Sequence, residues 1–421
     1  MNSFSIQSFG CRVNQAEAFH WADRFQRRGL LYQKDHQKSD LILVNTCTIT
    51  SRADRDVRNF IRRMHRENPA AKLVVTGCFA EKSAEELRKL PGIWKVFSNL
   101  EKETLPDRLL NDEVEEAQVA LKPFRSRALI KIQDGCDFGC TFCIVPSVRG
   151  KSRSYTQPEI LKQVRYLVEQ GFKEIVLAGV HLCLYGRDLD PPLSFRGLLE
   201  EITSVAGVHR LRLSSLDPRF LDEALLEHLV SNPKICPNFH LSFQHGANRI
   251  ISLMGRKIGT GEYSRILEFL FRESPRAALG TDIIVGFPGE TPEDFAEMSD
   301  FLEQMPLTYF HVFSYSPRPG TPAASWKQVH PEYKKERAVS LRTMAKKKNL
   351  DFRTRFLDEI CEAIVIGKKE SGEVRVLTDN YIEVALPACL PDEKALVDIR
   401  INEVSEQATK GVSLLLEESV R

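Results

Sequence analysis

The sequence predicts an α/β protein in three parts: an N-terminal open parallel α/β sheet, a central (βα)6-type partial barrel, and a small C-terminal β-barrel. Three observations predict it. Short apolar runs alternate with helix-compatible stretches through most of the chain, the pattern of parallel α/β folds. Polar loops bearing Gly or Cys follow those runs, at what would be the strands' carboxyl ends. From residue 356 onward the pattern changes to short alternating strands separated by turn signals.

Composition bounds the reading. At 421 residues the chain can hold two or three domains with real cores. A hydrophobic content of 42% and a charged content of 28% describe an ordinary soluble protein. No apolar run approaches the ~20 residues of a membrane span. Met1-Asn2-Ser3-Phe4 does not begin a secretory leader, so a cytoplasmic location and no membrane partner are expected. Ten cysteines without an export signal read as metal ligands rather than disulfides. The formal charge of only +2 means that any nucleic-acid surface must come from local patches.

Residues 1–124 form the first part, with a boundary near Pro123. Residues 4–9 alternate with period two, and 14–28 have helical composition closed by Gly29. Leu41-Ile42-Leu43-Val44 and Leu73-Val74-Val75-Thr76 are continuous apolar runs of buried-strand type. Residues 51–66 read as a polar helix. Ser83-Ala84-Glu85-Glu86 reads as a capping box. Cys11, Cys47 and Cys78 each sit just past a strand, so a parallel sheet would bring all three to one edge. Ordinary buried cysteines are common, but the same placement three times predicts a shared three-thiolate site. Residues 100–124 are charged, and Glu113, Glu115 and Glu116 suggest a surface helix or linker.

Residues 125–355 form the second part. The run Ala128-Leu129-Ile130-Lys131-Ile132 leads into Cys136, Cys140 and Cys143. Three thiols in this Cys-x3-Cys-x2-Cys spacing suit a metal that takes soft ligands. A structural zinc closes with four ligands. A cubane iron–sulfur cluster on three thiolates keeps one iron open to a substrate or cofactor. Zinc completed by a distant His or Cys stays open at this point. Arg149, Lys151 and Arg153 follow, with small residues between them, and read as phosphate contacts or as a solvated basic loop. Further strands are expected at 175–178, 211–215, 239–243, 278–285 and 309–313, making six βα units with the site at their carboxyl ends. Gln244 and His245 are candidates for the pocket lining. Cys183 reads as a bystander, and His240 and Met254 as core. Cys236, Cys361 and Cys389 receive no role.

Lys334, Lys335, Arg337, Arg342, Lys346, Lys347, Lys348, Arg353 and Arg355 crowd a helix-compatible stretch with few acids. Such a run is either a solvated helix or an RNA-phosphate surface. The third part, 356–421, favours RNA: strands at 360–366, 374–378, 381–384 and 396–401, with turns at Asp379-Asn380 and 368–372, suit a small oligonucleotide-binding barrel.

The Cys136/Cys140/Cys143 run, with Phe142 before its last cysteine, resembles the radical S-adenosylmethionine (SAM) signature. The paired cysteine sites resemble the methylthiotransferase family, and Gly10-Cys11-Arg12-Val13-Asn14-Gln15 resembles its tRNA N6-threonylcarbamoyladenosine subfamily. Residues 282–291 and 314–321 are similar to further family segments, and the C-terminal part to a TRAM domain. The resemblance implies two [4Fe-4S] clusters, on Cys136/Cys140/Cys143 and on Cys11/Cys47/Cys78. It implies SAM bound near Phe142, Gly179, Ser215, Ile283 and Gly286, with Leu177-Ala178-Gly179-Val180 departing from the usual Gly-Gly-Glu motif. RNA contacts are expected from Arg149, Lys151, Arg153, Lys346, Lys347 and Lys348. Partners implied are tRNA, a flavodoxin- or ferredoxin-like electron donor and a sulfur donor. The implied reaction places a methylthio group at C2 of the modified adenosine beside the anticodon. Rival readings are the same chemistry on N6-isopentenyladenosine or on a ribosomal-protein aspartate, and a non-catalytic, metal-stabilised RNA-binding protein.

Overall fold

The computed structural model describes residues 1–110, 125–369, 372–387 and 394–414. Glu113, Glu115, Glu116, Pro123, Cys389 and the centre of the turn expected at 368–372 lie outside the described residues.

The N-terminal unit is a five-stranded, wholly parallel sheet of β1 (Ser3–Ser8), β2 (Leu31–Tyr32), β3 (Leu41–Thr46), β4 (Lys72–Gly77) and β5 (Ile93–Val96), in the order β2-β1-β3-β4-β5. Strand alternation divides its core between two faces. Phe4, Leu41, Leu43 and Val74 pack with Trp21 and Phe25 on one side. Ile42, Val44, Leu73 and Val75 pack with Val57, Phe60 and Ile61 on the other. The edge strands β2 and β5 were not anticipated: one has two residues, and the other carries the solvent-facing Trp94 and Lys95. The helix Arg12–Arg27 is apolar on two sides. Trp21 and Phe25 enter the sheet core, while Ala16 and Phe19 enter the core of the next unit, where Phe19 meets Phe172 at a ring distance of 5.5 Å. Ser83 precedes the helix Ala84–Arg88 but makes no side-chain cap bond, so the expected capping box is absent there. Thr156 with Glu159 and Thr291 with Asp294 form capping boxes instead.

The central unit contains β6 (Ala128–Asp134), β7 (Arg153–Ser154), β8 (Glu174–Gly179), β9 (Arg210–Leu213), β10 (Asn238–His240), β11 (Ala278–Val285) and β12 (Tyr309–Ser314). β6-β8-β9 and β10-β11-β12 are parallel ladders, and the two-residue β7 lies antiparallel on β6. A parallel bridge from Leu216 to Leu241 joins the two sheets. This gives six parallel strands in chain order, as the sequence predicts. Among the described residues no ladder joins β12 back to β6, so the barrel is partial. The 24-residue helix Pro331–Thr354 packs Ala338 and Leu341 into the barrel core and Phe352 into the C-terminal core.

The C-terminal unit is a closed barrel of β13 (Ile360–Lys368), β14 (Val374–Thr378), β15 (Glu383–Leu386), β16 (Leu396–Val404) and β17 (Thr409–Ser413). The closing strand β17 was missed in the sequence because Gly411 interrupts its apolar pattern. Closure removes unpaired strand edges. The expected turn at Asp379-Asn380 reaches the start of the central strands: Arg212 donates to the carbonyls of Asp379 (2.8 Å) and Thr378 (3.2 Å).

Candidate metal and cofactor centre

The three N-terminal cysteines meet at one edge. Cys11 caps the helix Arg12–Arg27, Cys47 follows β3, and Cys78 opens the short helix after β4. Gly10 adopts φ +97°, and a Cβ there would fall 2.7 Å from the Cys47 Cβ, so only glycine lets the two loops meet. Asn14 ties the same loops, donating to the carbonyls of Phe9 (2.7 Å) and Thr46 (3.0 Å). Burial pushes the Cys47 thiol up to about 12 and raises that of Cys78, which the Arg149 guanidinium partly opposes. Without a metal these thiols hold their protons, and metal binding must displace them.

Arg149 was expected to touch RNA; instead it is buried behind this edge. Its Nε donates to the Cys78 sulfur (3.2 Å), and Nη1 to Glu17 (3.1 Å) and Asp134 (2.7 Å). Lys102 and Lys131 complete the cluster, with Lys102 Nζ 2.5 Å from Glu17 and Lys131 Nζ 3.2 Å from Asp134. Burial alone would raise Glu17 and Asp134, but the surrounding cations hold both carboxyls well below their usual range. The cluster fastens the N-terminal sheet to the central barrel. Lys151 and Arg153 are exposed, with Arg153 3.8 Å from Glu103. Lys346 and Lys347 are also exposed. Lys348 is not available as expected: its ammonium caps the carbonyls of Glu303 (2.9 Å) and Met305 (3.0 Å) at the end of a neighbouring helix.

The second triad lies on the loop after β6. Gly135 has φ +71°, and a Cβ there would sit 1.9 Å from the Lys151 carbonyl. The Cys136 amide donates to Gly150 (3.1 Å), and Thr141 donates through its amide to Met254 (3.1 Å) and its hydroxyl to Leu253 (2.8 Å). Burial pushes the Cys143 thiol up to about 12. Among the described residues, the one set of three His, Cys, Asp or Glu ligand atoms within 4.8 Å of one another belongs to His240, Asp282 and His311.

A cavity of about 200 Å³ lies against the first triad. Cys11, Cys47 and Cys78 line one side, and Ile144, Val145, Gly179, Ser214 and Ser215 line the other. The buried Ser214 hydroxyl has no partner among the described residues, as befits a wall that receives a polar ligand. Gly179 and Ser215, two of the residues expected near SAM, line this cavity. Ile283 does not line this cavity: its side chain is fully buried in the helix-facing core. Gly286 packs against the Lys334 side chain, where a Cβ would come within 2.3 Å, and its amide serves Glu290 (2.8 Å). Phe142 packs with Phe287 at a ring distance of 6.5 Å, away from the cavity lining.

Two family-like segments act as fasteners. Glu290 accepts from the Gly286 and Phe287 amides, His245 and Arg337, so His245 is a buried strut and not pocket lining. Arg318 donates to the buried Asp54 (2.7 Å), which accepts from Thr48 (2.6 Å), the residue after Cys47. The sequence motif around Arg318 was visible; its partner 264 residues away was not.

Two three-thiolate sets, one at the edge of an open parallel sheet and one on the loop after the first strand of a six-stranded parallel partial barrel, define a radical SAM enzyme with a second cluster-binding module. Residues 3–98 match the family described as uncharacterized protein family UPF0004, and residues 130–302 match the Radical SAM superfamily. The threonylcarbamoyladenosine tRNA methylthiotransferase MtaB of Aquifex aeolicus is 37% identical over 90% of this chain and 95% of its own. That of Bacillus subtilis is 34% identical over 91% and 90%. The tRNA-2-methylthio-N(6)-dimethylallyladenosine synthase of a Sulfurihydrogenibium species is 34% identical over 97% and 98%. The radical SAM methyltransferase TsrM of Kitasatospora setae shares the fold at a TM-score of 0.56, 15% identity, and coverage of 77% of this chain and 75% of its own. The chain belongs to the methylthiotransferase family of radical SAM enzymes. It is an enzyme of that chemistry, working with SAM and [4Fe-4S] clusters. No helix among the described residues is long and apolar enough to cross a membrane.

Proposed function

We propose that this enzyme converts N6-threonylcarbamoyladenosine beside the anticodon of tRNA to its 2-methylthio derivative. The observation that carries the reading is the cavity that Cys11, Cys47 and Cys78 share with Gly179, Ser214 and Ser215 at the carboxyl ends of the central strands. It sets residues of the central barrel beside the three N-terminal thiols. Cys11, Cys47 and Cys78 hold the auxiliary cluster, and Cys136, Cys140 and Cys143 the SAM-binding cluster. Bound SAM and the clusters supply the methyl group, the sulfur and the hydrogen abstraction, while the chain positions them and excludes water. Gly179, Ser214 and Ser215 form the SAM-side wall. The substrate follows the name of the Aquifex relative and the hexapeptide 10–15.

We divide the chain into 1–124, which carries the auxiliary site, 125–355, the radical SAM core, and 356–421, a TRAM-like tRNA-binding barrel. Lys151, Arg153, Lys346 and Lys347 contribute to the phosphate surface. A cytoplasmic location, a flavodoxin- or ferredoxin-like electron donor and a sulfur donor complete the reading. The Sulfurihydrogenibium relative favours a second substrate, the dimethylallyl nucleoside. Mass spectrometry of tRNA nucleosides from cells with and without the gene tests both. The expected result is loss of the methylthio-threonylcarbamoyl nucleoside, restored by the intact gene and not by Cys140→Ala. Loss of the dimethylallyl product instead moves the substrate, and no change in either refutes both.

A further inference from the structure

We infer that His240, Asp282 and His311 form a mononuclear site for a divalent transition-metal ion on the inner wall of the central barrel. The three residues stand on the adjacent parallel strands β10, β11 and β12. His240 lies opposite Gly280, and Asp282 opposite His311. Their strand neighbours Phe239, Ile283 and Phe310 enter the helix-facing core, so strict alternation turns the three toward the barrel interior. His240 is therefore not the core histidine that its sequence suggests.

The geometry is that of a ligand set. One atom from each residue lies within 4.8 Å of the other two. His240 Nε2 stands 3.2 Å from Asp282 Oδ2, and its Nδ1 stands 3.3 Å from the Tyr309 hydroxyl. A metal-binding imidazole needs such a second partner on its far nitrogen to set its orientation. An ion pair alone accounts for His240 and Asp282. It does not account for a second imidazole stacked 5.7 Å from the first, with 28° between the rings, and held at ligand distance from both.

Two imidazoles and one carboxylate select iron(II), zinc or manganese(II) over calcium and magnesium, which take oxygen ligands, and over copper(I), which takes sulfur. Such a set leaves coordination positions open. His311 is exposed, so those positions can be reached from the barrel interior. Arg12 faces the same space and adds positive charge near His311, which weakens the hold on a cation without removing the ligands. None of the three residues lines the cavity beside Cys11, Cys47 and Cys78, and none is a cysteine of either triad.

Manganese(II) is the suitable probe, because it prefers nitrogen and oxygen ligands and leaves thiolates alone. The anaerobic enzyme, loaded with both clusters, is titrated with manganese(II), and the free ion is read by its electron paramagnetic resonance signal. The expected result is saturable binding of about one ion per chain, displaced by zinc, which follows manganese in the order of ligand affinity. His311→Ala and Asp282→Asn should abolish it while cluster iron per chain stays unchanged. The exposed His311 position keeps the test available where Asp282→Asn fails to fold. Absence of saturable binding in the intact enzyme, or equal binding by His311→Ala, overturns the proposal. The readout is bound metal rather than modified tRNA, so it stands or falls independently of the substrate assignment.

Discussion

Arg149→Met is the most informative single perturbation of the centre. Methionine keeps much of the arginine stem's volume while removing its charge and donors. The guanidinium makes charge-assisted bonds to Glu17 and Asp134 and a further contact to the Cys78 sulfur. Lost charged hydrogen bonds cost about 1.5–3 kcal/mol each, and breaking a buried ion pair costs about 3–5 kcal/mol. The surroundings decide where in that range the change falls. Two buried carboxylates, Glu17 and Asp134, are met by three cations, Lys102, Lys131 and Arg149, of which Lys131 also pairs with the partly exposed Glu103. After the change, two lysines still face two carboxylates, which places the loss near the lower end, at about 3 kcal/mol.

Of the three cations, Arg149 is the one that touches Cys78. Arg149→Met should therefore lower the melting temperature of the cluster-free protein by about 6–12 °C, taking about 2–4 °C per kcal/mol for a unit of this size. It should also weaken retention of the auxiliary cluster, because thiolates lose their nearest positive charge. Arg149→Lys should rescue little, since one ammonium cannot span the Cys78, Glu17 and Asp134 contacts together. Calorimetry of the cluster-free form and iron analysis of the reconstituted form read the two effects separately. A variant that melts within about 2 °C of the parent and holds the same iron would refute the role of Arg149 as both strut and counter-charge.

Gly135→Ala should lower reconstituted iron from about eight to about four per chain and abolish SAM cleavage, since its Cβ would meet the Lys151 carbonyl at 1.9 Å. Gly10→Ala should lose the same amount of iron yet keep SAM cleavage, because its clash is with Cys47; equal cleavage loss in both would count against two separate sites. Burial, reinforced by Arg24 and Lys131, holds His20 down at about 4. A folded value below the unfolded ~6.5 contributes stability that is fully present above that pH and is lost as pH falls toward 4. His20→Gln should flatten the melting curve against pH across that window, and an unchanged slope would remove His20 from the account. Arg318→Ala should leave Asp54 buried without its cation and speed amide exchange in the helix Ser51–Glu67, with little change at β8; uniform exchange would argue against a local fastener.

What could be read from the sequence followed the range of the interactions involved. The alternation of strands and helices, the six-strand barrel and the convergence of Cys11, Cys47 and Cys78 were legible because apolar runs and strand-then-Cys placement are local patterns. β17 and β5 were not, since Gly411 and the exposed Trp94-Lys95 pair break the alternation that marks a strand. Arg149 was misread for a different reason. A basic residue between small residues looks solvated, and only the fold shows that Glu17, 132 residues earlier, meets it in the interior. Ile283 and Gly286 illustrate the same limit: a family-like segment gives the neighbourhood of a ligand, but whether a side chain faces core or cavity depends on strand phase.

Arg12 shows how a short marker acquires a physical role. In the sequence it is one letter of a hexapeptide that separates subfamilies. In the fold it leaves the residue beside Cys11, enters the barrel interior and bonds the Tyr381 hydroxyl of the C-terminal unit. Arg127 and Arg212 of the central unit face the same ring, and together these cations hold the Tyr381 hydroxyl below its usual range against the effect of burial. All three parts of the chain thus meet at one tyrosine. A change in how the C-terminal barrel sits must be felt by the helix that Cys11 caps, because Arg12 is the first residue of that helix and its guanidinium is the contact.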